Sequence, residues 1–325
     1  MKKWFALAAL AAAVVGAQAQ TYPGSKPISI VVPFVEGGPT DRVARDLAEA
    51  LRKPLGGAVI LVDNAAGAGG SIGASKVAKA PADGHTLLLH HIAMATMPTL
   101  VRNIPFKVES DFEYLGMIND VPMTLIGKPA LAANSYKELS SWINANKGNI
   151  NLGNAGVGSA SHLCGLLFQN AVQVDMTTVP YKGTAPAITD LIGGQIDLMC
   201  DQTTNTTSQI EGKKVKAFAV TTAKRLATAA LKDLPTLQES GLKGFEVTIW
   251  HGLYAPKGTP ADVQAKVNAA LKAALKDPEF IKKQEGLGAV VVTDKRMEPA
   301  EHKKFVASEI AKWGPVIKAA GEYAD

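Results

Sequence analysis

Three glycine-rich turns, each between a strand-like run and the start of a helix, are the parts of this chain best suited to chemistry. The first, Glu36 to Asp41, follows the apolar run Lys26 to Phe34. The second spans Gly67 to Gly73, and the third spans Gly156 to His162. Glycine lets backbone N–H groups approach a ligand closely, and a helix N-terminus carries partial positive charge. The three turns therefore indicate that the chain binds a small acid.

The histidines near these turns do not form a catalytic or metal site by spacing. His90 and His91 are adjacent in a predicted strand, where neighbouring side chains point to opposite faces, and no third ligand is spaced nearby. One of the two is expected to face the ligand as a hydrogen-bond donor. His162 follows Ser161 without a Gly-x-Ser-x-Gly elbow, so packing or capping is favoured over nucleophilic catalysis. We expect no metal and no catalytic residue.

The second turn also comes close to a dinucleotide-binding fingerprint. Its third glycine is one residue late, and no acidic residue ends the next predicted strand, Thr86 to His90. We therefore expect no cofactor. An exported enzyme with a nicotinamide cofactor stays open as an alternative from a different functional class.

The first residues have the pattern of an export signal. Lys2 and Lys3 precede the apolar stretch Trp4 to Gly16, and Ala17-Gln18-Ala19 resembles a cleavage site. The apolar stretch is shorter than the roughly 18 to 20 residues that span a membrane. Residues 1–19 are thus predicted to be a cleaved Sec-type signal peptide, and the mature protein is expected in the periplasm.

Composition is that of a globular protein large enough for two cores. The chain has 325 residues, 47% of them hydrophobic, and a formal charge of +5 whose basic residues are dispersed among acids. This distribution does not indicate nucleic-acid binding. Cys164 falls in a helix start and Cys200 at a strand end, and an oxidising compartment favours a disulfide between them. Two buried thiols remain the alternative.

Strand-like and helical runs alternate, which is typical of parallel α/β sheets covered by helices. Two apolar connections, Val121 to Ile126 and Phe245 to Trp250, separate two βαβ series. We predict a discontinuous first lobe, residues 20–121 plus 248–325, and a second lobe, residues 122–247. The cleft between them would close by bending of the two connections. Strands are predicted at Ile28–Pro33, Val59–Asn64, Thr86–His90, Asn151–Asn154, Met176–Pro180, Ile196–Cys200 and Val215–Val220. Helices are predicted at Thr40–Lys53, Ser71–Lys79, Tyr136–Asn146, Ser159–Asn170, Ala185–Leu191, Ala261–Leu275, Pro278–Glu285 and Pro299–Ala320.

Several short motifs, taken in order behind the signal sequence, resemble the Bug family, the periplasmic solute-binding proteins of tripartite tricarboxylate transporters. They are Tyr22–Phe34, Gly37–Asp41, Asn64–Gly70, Ala82–Leu87, Val179–Gly183, Asp190–Gln195 and Leu234–Gly241. The resemblance implies an α/β periplasmic-binding-protein fold of the type II-like, Venus flytrap kind, with two lobes joined by two extended hinge segments. It implies capture of a small carboxylate for two membrane permease components, by a monomer.

The resemblance also implies which residues surround the ligand. They come from the loops after the first three strands and from the loops of the second lobe: Phe34, Val35, Glu36, Gly37, Gly38, Thr40, Asp41, Asn64, Gly69, Gly70, His91, Ile92, Gly156, Gly158, Ser159, Ala160, Ser161, His162, Tyr181, Lys182, Gly183, Asp201 and Gln202. Glu36 either repels a second acidic group or is a solvated turn residue. A sensory role, in which the closed form docks on a membrane kinase, stays open beside transport.

Overall fold

Strands and helices alternate through residues 22–320, the part of the chain that the computed structural model describes. The predicted signal peptide lies outside these residues. The strands are β1 Ile28–Val32, β2 Ile60–Asn64, β3 Thr86–His91, β4 Phe112–Gly127, β5 Asn151–Asn154, β6 Thr177–Pro180, β7 Leu198–Gln202, β8 Lys216–Val220, β9 Thr248–Pro256 and β10 Val290–Val291. The helices are α1 Pro39–Arg52, α2 Ser71–Ala78, α3 Ala93–Leu100, α4 Tyr136–Ala145, α5 Ala160–Val172, α6 Thr184–Ile192, α7 Thr203–Glu211, α8 Ala261–Ala274, α9 Pro278–Gly286 and α10 Pro299–Ala320.

The strands form two parallel sets joined by two long antiparallel strands. Their order is β2-β1-β3-β9-β4-β7-β5-β6, and β8 and β10 also pair with β4. β1 lies between β2 and β3, parallel to both, and β5 lies in the same way between β6 and β7. Each set with its covering helices makes one lobe of the expected two-lobed α/β fold.

β4 passes from one lobe to the other and changes partners on the way. Residues from Phe112 to Pro122 pair with β9, whereas residues from Met123 to Gly127 pair with β7. The first apolar connection thus lies within β4, and the second enters β9 at Thr248; these two strands form the hinges. The boundaries at residues 121/122 and 247/248 stay predictions.

The first helix shows how the sequence builds these lobes. Gly38 is the N-cap residue of α1 and Pro39 occupies its first turn, where a missing N–H costs nothing. Val43, Leu47 and Leu51 recur at helical spacing and are fully buried. This face packs in a cluster with Ile30 of β1, which fixes the N-terminus of α1 at the end of that strand.

Buried apolar side chains continue from one lobe into the other. One cluster includes Leu88 of β3, Met117 of β4 and Leu152 of β5. The hinge residue Trp250 is also in it, 2% exposed. Among the described residues, no helix is both long enough and apolar enough to cross a bilayer.

Candidate ligand site between the lobes

The facing loops of the two lobes are in contact. Gly69 of the second turn lies against the backbone of Val157 in the third turn, and a Cβ on Gly69 would overlap the Val157 carbonyl oxygen. A second contact lies across the cleft, where Gly183 meets the side chain of Val35. Glycine permits both approaches because it has no side chain. The conformation is therefore a closed one.

Closure encloses a small polar cavity, here called the inner cavity. Its volume is about 10 Å³, room for a single water molecule at most. Both lobes supply its walls, which are Phe34, Pro39, Thr40, His91, Ala155, Ser159, Ala160, Ser161, Thr184, Asp201 and Gln202. A bound acid would require these walls to move apart or would extend into neighbouring space.

That neighbouring space is an outer cavity of about 360 Å³, which shares Phe34 and Ala155 with the inner one. It is lined by Phe34, Gly67, Ala68, Gly69, Gly70, Val101, Ala155, Gly156, Val157, Tyr181 and Lys182. Tyr181 is fixed there by its hydroxyl, which donates to Asp190 Oδ2 at 2.7 Å. Burial, followed by this bond to Asp190, raises the pKa of Tyr181 to about 12, so it stays neutral.

The first loop is held by a carboxylate behind it. Asp41 Oδ2 accepts from Gly37 N at 3.0 Å and from Arg45 Nε at 2.8 Å, and Oδ1 accepts from Asn64 Nδ2 at 3.0 Å. Burial alone would raise the pKa of Asp41, but these bonds outweigh it and lower the pKa. Asn64 Nδ2 also donates to Phe34 O at 3.0 Å. Asp41 and Asn64 together fix the loop that carries Phe34 and Thr40.

The third turn is ordered by its two serines. Ser159 is the N-cap residue of α5 and its Oγ accepts from His162 N at 3.2 Å. Ser161 Oγ accepts from Ala155 N at 2.7 Å and lies 3.2 Å from Ser159 Oγ. His162 Nδ1 accepts from Gly158 N at 3.4 Å. The helix N-terminus and the serine hydroxyls thus face the inner cavity in one fixed arrangement.

His91 supplies a neutral donor from the first lobe. Burial lowers its pKa to about 3, and Nδ1 accepts from Ala93 N at 3.1 Å. A neutral imidazole with Nδ1 as acceptor carries its hydrogen on Nε2. The ring stacks on Phe34 at 4.8 Å between centroids and lines the inner cavity. In the described residues, no group of histidines, cysteines and carboxylates is arranged to hold a metal ion.

A chain of buried hydrogen bonds fixes the hydroxyl of Thr40. Gln284 Nε2 donates to Asp46 Oδ2 at 2.8 Å, so Gln284 Oε1 is the acceptor for Asn119 Nδ2 at 2.8 Å. Asn119 Oδ1 then accepts from His251 Nδ1–H at 2.9 Å, which leaves His251 Nε2 to accept from Thr40 Oγ1 at 3.4 Å. Thr40 therefore presents only an acceptor to the inner cavity.

The second lobe places two polar side chains opposite Thr40. Asp201 is 1% exposed, and its Oδ2 accepts from Asn205 Nδ2 at 2.7 Å. Gln202 is 2% exposed and its Oε1 has no hydrogen-bond partner. Leaving a buried acceptor unpaired costs roughly 1 to 3 kcal/mol. The unpaired oxygen therefore points to a missing partner in the cavity.

Comparisons with known proteins give the family. The model of the tripartite tricarboxylate transporter family receptors matches residues 43–322. The chain belongs to this receptor family. A protein encoded in the TAR-I ttuE-ttuC' intergenic region of Agrobacterium vitis is 47% identical over 94% of this chain and 88% of its own length.

Solved structures agree with this family and with the Bug resemblance. The periplasmic binding protein BugD superposes with a TM-score of 0.89 at 48% identity, covering 92% of this chain and 99% of BugD. MatC from Rhodopseudomonas palustris, solved with bound malate, gives 0.85 at 36% identity, covering 90% of this chain and 98% of MatC. The two-lobed periplasmic-binding fold is thereby confirmed.

In this receptor the residues predicted from the sequence fall into two groups. The residues that line the two cavities are Phe34, Thr40, Gly69, Gly70, His91, Gly156, Ser159, Ala160, Ser161, Tyr181, Lys182, Asp201 and Gln202. The others do not line these two cavities; they are Val35, Glu36, Gly37, Gly38, Asp41, Asn64, Ile92, Gly158, His162 and Gly183. Glu36 is exposed, in keeping with a solvated turn residue.

Sequence reasoning missed some lining residues, among them Thr184 and Val101. Thr184 comes one residue after Gly183 and is the first residue of α6, so it lies at the N-terminus of that helix. Val101 follows α3, a helix that the sequence did not predict. The sequence predicts α6 as Ala185–Leu191, one residue short of its actual start, and so leaves Thr184 out.

The receptor also has a larger surface cavity beside the first turn, which contributes Glu36, Gly37 and Asp41 to its walls. An open groove of about 910 Å³ lies between α1 and α9, with Arg42, Asp46 and Lys283 in its walls. Lys283 Nζ lies 3.7 Å from Asp46 Oδ1, and the groove is open to solvent. We place the ligand site in the enclosed cavities because ligand pockets bury most of their ligand.

Proposed function

We propose that this chain is a periplasmic, non-enzymatic receptor that captures a small carboxylic acid between its lobes and passes it to two membrane permease components as a monomer. The observation that carries the proposal is the polar inner cavity to which both lobes contribute neutral donors and a helix N-terminus. The malate bound to MatC supports a carboxylate as ligand.

The character of the donors supports reversible capture. The inner cavity has no lysine or arginine among its described walls, and His91 is held neutral by burial. Backbone N–H groups and hydroxyls can hold a carboxylate, each bond contributing roughly 1.5 to 3 kcal/mol. An acid held in the inner cavity without an ion pair can be released quickly to a permease.

The second turn argues against the nucleotide-dependent alternative. In a dinucleotide fold, this turn must expose its backbone to a pyrophosphate. Here Gly69 is covered by Val157 of the opposite lobe. Gly69 is thus explained by contact between the lobes.

A thermal-shift screen with carboxylates tests the proposal. An acid at 100 times its dissociation constant should stabilise the receptor by about 2.7 kcal/mol, whereas nicotinamide nucleotides should have no effect. Ser161→Ala should weaken binding of every hit, because Ser161 bonds Ala155 N and faces the cavity. Ser141→Ala, on the exposed face of α4, is the matched control. A nucleotide hit without any acid hit would overturn the receptor function.

A further inference from the structure

Asp201 is a carboxyl group enclosed with the ligand site and without a cation. Asp201 lines the inner cavity and is 1% exposed, and among the described residues its side chain forms no ion pair. Its partners are Asn205 Nδ2 at 2.7 Å and the backbone N–H of Gln202. Burial raises the pKa of Asp201 to about 7, far above that of an exposed aspartate.

The elements packed around Asp201 bring no positive charge to it. β4 contributes Thr124, whose hydroxyl donates to the Asp201 carbonyl at 3.3 Å, and α7 contributes Asn205. β3 contributes His91, and His251 of β9 stands behind Thr40; burial lowers the pKa of both, so both are neutral.

The remaining neighbours are the three helix starts that line the inner cavity, of which α6 contributes the uncharged Thr184. α1 carries Asp41, but that carboxylate is turned to Arg45 and Asn64. α5 offers the Ser159 and Ser161 hydroxyls, and His162 next to them receives the Gly158 N–H.

A carboxylate ligand would bring a second negative charge into this space. Two carboxylates that share one enclosed site do not both ionise, because their repulsion raises the pKa of one of them. The anion-holding N-terminus of α5 and Asp201 line the same cavity. A proton on Asp201 is the simplest way to remove the repulsion between its carboxyl group and the ligand carboxylate.

The hydrogen-bond inventory of the cavity leads to the same requirement. Thr40 presents only an acceptor, because its hydrogen goes to His251, and Gln202 Oε1 is an acceptor without a partner. An ionised Asp201 would add further acceptors to a wall that must hold an anion. A protonated Asp201 supplies a donor instead.

We propose that Asp201 is protonated when the receptor holds its acid, so that capture of the anion takes up one proton from solvent. This inference rests on the proposed function and adds to it a proton-linked residue. The step is a simple association: the ionised receptor, the acid anion and one proton give the closed complex, with Asp201 as a neutral donor. No bond of the ligand changes.

Calorimetry tests the inference with malate, succinate and adipate, whose carboxyl groups are all ionised above about pH 6.5. Titrations in buffers of different ionisation enthalpy count the protons taken up. Well above the pKa of the free receptor, we expect uptake approaching one proton and an affinity that falls about tenfold per pH unit. Asp201→Asn imitates the protonated carboxyl and should bind with an affinity that does not change up to about pH 9. Asp63→Asn, on the edge strand β2, should keep the dependence of the unmodified receptor.

Binding without proton uptake and without pH dependence in the unmodified receptor would overturn the inference, whatever the variants do. So would an affinity that rises with pH together with loss of binding in Asp201→Asn, because both require an ionised Asp201. If none of the three acids binds between about pH 5 and pH 9 and other carboxylates also fail, the proposed function itself is wrong. That result differs from pH-independent binding, which leaves the receptor function intact.

Discussion

Gly69 and Val157 touch across the cleft, the first from the loop after β2 and the second from the loop after β5. Gly69 has a φ of +61°, and the position of a Cβ there is taken by the Val157 carbonyl oxygen. A methyl group added at Gly69 would therefore clash with Val157 in the closed form. Because both lobes line the proposed ligand site, this contact connects packing to affinity.

Gly69→Ala should weaken acid binding by at least about tenfold, since the added methyl group holds the lobes apart. Isothermal titration of the best acid from the carboxylate screen measures the loss. Gly56→Ala is the control: Gly56 has a similar φ of +69° but nothing within 4 Å of its Cβ position, so it shares the backbone strain without the clash. Equal affinities for the two variants would show that the contact does not limit closure.

The disulfide between Cys164 and Cys200 should stabilise the fold by about 4 kcal/mol, from the loop entropy of its 36-residue separation. Cys164→Ala with Cys200→Ala should lower the free energy of unfolding by roughly this amount, measured in urea. Dithiothreitol should lower the stability of the unmodified protein and leave that of the double variant unchanged. An equal effect of the reductant on both would mean that the bridge does not form in solution.

The sequence predicted most of the fold because hydrophobic periodicity marks it. α1 and β1 appear within one residue of their predicted bounds, and Cys164 and Cys200 are bridged as favoured. α7, by contrast, was not predicted. Its sequence, TTNTTSQIE, is rich in β-branched threonine and has no apolar stripe, yet it buries Thr203 and Thr206 against its neighbours. Tertiary packing, which no local pattern contains, decides that segment.

The loops of the candidate site were predictable and their contacts were not. Glycine turns before helices located Thr40 and Ser161. Nothing in the spacing shows that Asp201 ends in the same cavity as His91, because the two lie on different lobes and meet only on closure. The series of hydrogen bonds from Thr40 through His251 to Asn119 was likewise not predictable. It depends on the pairing of β9 with β4, which are far apart in sequence.

The buried histidines should make the protein sensitive to mild acid. Burial lowers the pKa of His91 and His302 to about 3 and that of His90 and His251 well below its usual value, whereas an unfolded histidine titrates near about 6.5. Each therefore contributes stability that is complete above about pH 6.5 and is lost as the pH falls below it. The pKa of Asp201 is raised instead, so its contribution to stability increases as the pH falls. This offsets the loss caused by one histidine.

Urea titrations should accordingly show a free energy of unfolding that falls between about pH 6 and pH 5 with a slope of up to about three protons, roughly 1.4 kcal/mol per proton and pH unit. His302→Gln, at a site that receives the Gly116 N–H and lies away from the cavities, should reduce that slope by about one proton. A slope that the substitution leaves unchanged would contradict a neutral His302 in the folded protein.

The amides of Asn119 and Gln284 should be energetically coupled, because removal of either amide leaves the other with an unpaired buried atom. Asn119→Leu and Gln284→Leu should each lower the free energy of unfolding by roughly 1 to 3 kcal/mol. The double variant should lose less than the sum, with a coupling energy of about 0.5 to 3 kcal/mol. Asn119→Leu combined with Asn146→Ala, at the end of α4, should be additive, since Asn146 bonds only locally to Trp142. Additivity in the first pair would mean that no connected chain from Asp46 holds His251 in its Nδ1–H form, and Thr40 would then be free to donate to the ligand.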